Sequence, residues 1–105
     1  MAYVGKVKIT GDWEKLEDLI KAQVDGQSSF SFDTSKTYSV MADCNTSPIM
    51  LGARVCNSVA KPSEPDDGEY LTEGLFGVYK PESGVYMWVR TRSNTPNVKV
   101  AVSEI

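Results

Sequence analysis

Histidine is absent from this sequence. That removes Ser–His and Cys–His catalysis and every histidine metal site, and it leaves no catalytic residue to assign. Cysteine is scarce as well. Cys44 and Cys56 are the only two, too few for the disulfide framework of a small secreted domain and without the CxxC spacing of a zinc site. Both read as free, partly buried thiols, because an unpaired cysteine packs as a small hydrophobe. No apolar run reaches the ~20 residues of a membrane-spanning helix. The stretch Met1-Ala2-Tyr3-Val4-Gly5-Lys6 lacks the apolar segment of a secretory signal, so the expectation is an unprocessed intracellular product with no membrane partner. Positive charge is not in excess either. A net charge of −3 and a pI near 4.8 argue against nucleic acid as the main partner. A phosphate-binding loop is missing too, since the Gly-Leu-Phe-Gly stretch at 74–77 carries no lysine, and no cofactor is implied.

What is present describes one domain over residues 1–105, long enough for a single modest core. Tyr3, Gly5, Val7 and Ile9 alternate with Val4, Lys6, Lys8 and Thr10, the period of a half-buried strand. The spacing then becomes helical at Trp13, Leu16, Leu19 and Ile20, with Val24 at its end. Asp12 fits an N-cap and Asp25-Gly26 a stop, giving one short peripheral helix near residues 12–24. Everything beyond Gly26 alternates with period 2 between turn-forming clusters. The strand candidates are Phe30 and Phe32; Tyr38, Val40 and Ala42; Ile49, Leu51, Ala53 and Val55; Leu75 to Tyr79; and two closing strands. Seven or eight short strands predict a mostly-β fold, a single antiparallel β-sandwich of jelly-roll-like build.

Chemistry is sparse on this scaffold. The segment AKPSEPDDGEY, residues 60–70, gathers Glu64, Asp66, Asp67 and Glu69, but their spacing does not match a calcium loop, and the stretch reads as an exposed turn rather than a metal site. A glycosidase would need two carboxylates across a cleft, which spacing cannot reveal. The aromatic residues reach most elements, and most of them serve the core. The end of the chain carries the candidate site. Val85, Met87 and Val89 share one face of a strand, and Tyr86, Trp88, Arg90 and Arg92 share the other. Closing a hairpin over Ser93-Asn94-Thr95-Pro96 sets Val89 beside Val100, Met87 beside Val102, Trp88 opposite Ala101 and Arg90 opposite Lys99. A slip of two residues sets Lys99 over Trp88 instead, a cation–π pair. In either register Tyr86, Trp88, Arg90, Arg92 and Lys99 form a basic face with an aromatic anchor, the residue types enriched where proteins grip partners. A second possibility is a carbohydrate module, with Tyr86 and Trp88 as a stacking platform at the ~7 Å two-residue repeat of a strand. A glycan is then the ligand.

The order of elements resembles that of small accessory structural proteins of tailed bacteriophage virions. The likeness is carried by GDWEKLEDLIK, FSFDTSKTYSVMAD and GLFGVYKPESGVYMWVRTRSN, closing on VAVSE. In that family a short helix precedes a compact β-sandwich, and a late Tyr-x-Trp/Tyr-Val-Arg strand leads into a valine-rich one. The resemblance implies a non-enzymatic subunit of the virion, made in the host cytoplasm. It would bind a major capsid, neck or tail protein, and its own copies, in a capsid-decoration or head-accessory role.

Overall fold

The computed structural model describes residues 2–44, 52–72, 76–91 and 98–105. Eight strands and one helix occur among them: β1 (Ala2–Lys8), β2 (Glu14–Lys15), α1 (Leu16–Gln23), β3 (Tyr38–Cys44), β4 (Gly52–Ser58), β5 (Glu69–Thr72), β6 (Phe76–Tyr79), β7 (Tyr86–Thr91) and β8 (Val98–Glu104). They form two four-stranded sheets, β1-β8-β3-β6 and β2-β7-β4-β5, antiparallel throughout. The pairings β1–β8, β2–β7, β3–β6 and β4–β5 are those of one long hairpin folded back on itself. Rolling that ribbon adds the contacts β8–β3 and β7–β4, which is jelly-roll connectivity. The core draws on both sheets: Val7, Val40, Val98, Val100 and Val102 from the first, Ala53, Met87 and Val89 from the second. Valine dominates because a branched side chain fits a pleated, buried face.

The closing hairpin of the sequence reading is corrected. β7 pairs with β2 and β4, whereas β8 pairs with β1 and β3, so the two strands belong to different sheets. Both present an apolar face inward, and alternation alone cannot tell two strands that are side by side from two that face each other across a core. The proposed turn at 93–96, and Arg92 with it, lie outside the described residues, as do Ile49, Leu51 and Leu75 of the earlier strand assignments.

The helix also starts later than its apolar spacing suggests. Thr10 O accepts a hydrogen bond from Thr91 N at 2.8 Å, and Glu14 and Lys15 pair with Val89 and Trp88. The backbone is therefore committed to the sheet until Leu16. Lys15, not Asp12, is the N-cap residue and makes no side-chain cap bond. The stop holds: Val24 N still bonds Ile20 O, and Gly26 turns the chain at φ 80°. Leu16, Leu19 and Ile20 are buried, and α1 lies against β1, β2 and β7, closing one side of the core.

Phe30 and Phe32 form no strand. Their rings join Tyr38 and Tyr79 in an edge-to-face chain with centroids 4.9–5.0 Å apart. Phe30 N donates to Gln27 O in a turn, and side chains satisfy the next amides, Phe32 N donating to Glu17 Oε1 and Asp33 N to the Tyr38 hydroxyl.

Candidate functional site

The predicted site residues separate into two places. Tyr86, Trp88 and Arg90 lie half-buried on the outward side of β7, and Lys99 lies on the other sheet, opposite Lys8 of β1. Trp88 faces Cys56 across β4–β7, and Arg90 faces Arg54. Lys15 takes the position over Trp88 that the slipped register gave to Lys99, and it stands over Tyr86 as well. Its Nζ stands 3.8 Å from the Tyr86 ring centroid and 5.5 Å from that of Trp88. The stacking platform of the carbohydrate reading is thus covered by the chain's own ammonium group.

The acidic segment folds onto this same sheet. Trp13, 4% exposed, donates its indole N–H to Glu64 O at 2.9 Å. Arg54 Nη1 donates to Asp66 O at 2.9 Å and to Gly68 O at 3.4 Å. Asp67 closes the turn by accepting from Glu64 N, and Lys61 pairs with Asp12 at 3.3 Å. At Gly68, φ is +79° and an added Cβ would run into the Val55 carbonyl, so only glycine lets the loop lie this close. The carbonyl oxygens of Asp66 and Gly68 beside Arg54 offset its like-charge pairing with Arg90. Arg90 donates from Nε to Thr91 O at 3.1 Å, and its guanidinium carbon lies 5.9 Å from the Trp13 ring. Burial pushes the Cys56 thiol pKa up, and Asp67 pushes it the same way. Trp88 and Arg90 thus make internal contacts while staying half-buried on the outward side of β7.

Two other features remain open to partners. A cleft of about 310 Å³ lies beside Tyr86, lined by Phe32, Tyr79, Lys15, Glu17 and Glu82 among others. Burial raises the Tyr79 hydroxyl above its ordinary pKa, and Glu17 and Glu82 add to the shift. The second feature is the outer face of the β1-β8-β3-β6 sheet. Register places Tyr3, Ser103, Ser39 and Val78 in one row, Lys6, Ala101, Met41 and Phe76 in the next, and Lys8, Lys99 and Asp43 in a third. Tyr3 and Val78 are each 65% exposed and Met41 38%.

No family model, curated protein or solved structure matches the chain.

The outer sheet face was half legible. Val78 follows from alternation once Tyr79 points inward. Tyr3 does not, because a bulge between Tyr3 and Gly5 turns it outward and leaves Val4 and Val7 buried. A Val-Gly pair inside an alternating run was the available signal. The cleft gave no such signal, since its residues come from three separate stretches of chain.

Proposed function

We propose that this chain is a non-enzymatic assembly subunit that docks through the outer face of the β1-β8-β3-β6 sheet onto an acidic surface of a larger structural protein. The setting is the one its resemblance implies, the capsid, neck or tail of a phage-type virion. The observation that carries the proposal is the gathering, on one sheet face, of exposed Tyr3, Met41 and Val78 with the lysines Lys6, Lys8 and Lys99, Asp43 lying opposite the last. Exposed apolar and aromatic side chains interspersed with serines and lysines suit a protein interface, and lysines that outnumber Asp43, the acid set opposite Lys99 on the same face, favour an acidic partner. Among the described residues no element packs on this face.

The edge beside it is closed by comparison. Gln23 reaches from α1 to Lys8, accepting from its N–H at 2.8 Å and donating to its carbonyl at 2.9 Å, as a neighbouring strand would. Docking by strand addition at β1 is thereby disfavoured. Jelly rolls recur in viral capsid domains and in lectins, an analogy of fold that agrees with the proposal without deciding it.

Mass spectrometry of purified particles from the source of this sequence tests it. The chain should be recovered in many copies per particle, and the Met41→Asp, Val78→Asp double variant should fold but drop out of the particles. Particles without the chain, or particles that retain the variant at full occupancy, overturn the proposal. Glu17 and Glu82 line one cleft, so nitrophenyl glycosides should also be offered to the protein. Hydrolysis that Glu82→Gln abolishes would make the chain an enzyme.

A further inference from the structure

We infer that the cleft between Tyr86 and the Phe32 segment is a binding site for a small neutral saccharide, independent of the docking face. None of the residues lining it lies on the outer face of the β1-β8-β3-β6 sheet. Its volume, about 310 Å³, falls at the lower end of the ~300–1,000 Å³ typical of small-ligand sites. The rings of Phe32, Tyr79 and Tyr86 supply apolar wall, and around them stand polar groups still open to a ligand. Glu17 commits Oε1 to Phe32 N–H at 3.0 Å and keeps its second oxygen. Glu82, Ser31, Thr34 and the Tyr79 hydroxyl make no side-chain hydrogen bond among the described residues, and Lys15 engages only rings.

Charge narrows the class of ligand. An anion entering the cleft meets Glu17 and Glu82. A cation meets Lys15, which already occupies the face of Tyr86 at 3.8 Å. A purely apolar ligand would strip water from carboxylates and an ammonium group without replacing their hydrogen bonds, which is costly. A neutral polyhydroxyl ligand both donates to the carboxylates and accepts from the ammonium, while its C–H surface packs on aromatic rings. A sugar unit has that chemistry.

The site differs from the Tyr86–Trp88 platform expected from sequence. Trp88 donates its indole N–H to Ser58 O at 3.1 Å and is not among the cleft residues.

Saturation-transfer NMR on the full chain tests the inference, with glucose, galactose, N-acetylglucosamine and their β-linked disaccharides as probes and choline as the cationic control. At least one sugar should receive saturation. The transfer should fall at least five-fold in Glu82→Gln and in Tyr86→Ala, and should be unchanged in Tyr3→Ala on the docking face. Glu82 is exposed, so its variant remains informative if Tyr86→Ala unfolds. No transfer to any sugar, transfer that survives the cleft variants, or choline binding in place of the sugars each overturns the inference. Absence of the parent chain from particles, with sugar transfer intact, would count against the docking proposal alone.

Discussion

At the scale of single residues, two buried side chains have opposite prospects. Trp13 is 4% exposed, and its indole N–H holds the acidic loop through Glu64 O. It stands outside the main valine core and acts as the peg between the loop and the second sheet. Trp13→Ala removes both packing and peg and should cost ~3–5 kcal/mol, the usual range for deleting a buried tryptophan. Chemical denaturation would show it as a midpoint shift, and parent-like unfolding would mean that the loop is held without Trp13. Thr91 presents the converse case. It is 1% exposed, and its hydroxyl has no hydrogen-bond partner among the described residues. Thr91→Val replaces that stranded hydroxyl by a methyl of the same shape and should stabilise by ~1–2 kcal/mol. For a domain of this size that raises Tm by several degrees; a lowered Tm would show that the hydroxyl is satisfied.

Among the elements, α1 does two jobs that its sequence announces unevenly. Leu16, Leu19 and Ile20 fill the side of the core, which helical spacing made plain. Gln23, at the polar end of the same helix, seals the β1 edge through Lys8, and nothing in the spacing marks it. Gln23→Ala exposes one amide and one carbonyl of β1 to other chains. Light scattering should then show concentration-dependent association that the parent lacks, and a variant as monodisperse as the parent would mean that the glutamine adds no protection. The same contrast explains what the sequence revealed. Strands such as β3 and β7 were legible because alternation is local and each buries one face. The partnership of β7 and β8 was not, because Val89 and Val100 would be buried equally well in a hairpin or across two sheets. Phe30 and Phe32 misled for a related reason: a turn bond to Gln27 O satisfies Phe30 N, and side-chain bonds to Glu17 and Tyr38 satisfy Phe32 N and Asp33 N, supplying what a strand partner would have supplied. At the site, Tyr86, Trp88 and Arg90 were rightly placed together, but Lys15 and the acidic loop that occupy them come from distant stretches of chain.

For the whole molecule, the missing histidine shapes its response to pH. With no side chain whose ordinary pKa lies between about 5 and 8, stability should stay nearly flat there. Burial raises the pKa of Tyr79 and of Cys56, so above about pH 9 the unfolded chain releases these protons first. The native state then binds more protons than the unfolded one, and stability must fall as pH rises. Tyr79→Phe should flatten the alkaline part of that fall in thermal melts taken from pH 6 to 11; an unchanged alkaline limb would show that Tyr79 does not contribute to it. The ribbon topology has a mechanical corollary. Ala2 lies opposite Glu104, and the β1–β8 ladder runs from there inward to Lys8 and Lys99. A load applied at residues 2 and 104 therefore falls on one rung at a time, peeling β1 away like a zip instead of shearing the ladder as a block. Tension through the ends would open the molecule at low force, whereas a load spread over the outer face of the same sheet would meet every rung at once.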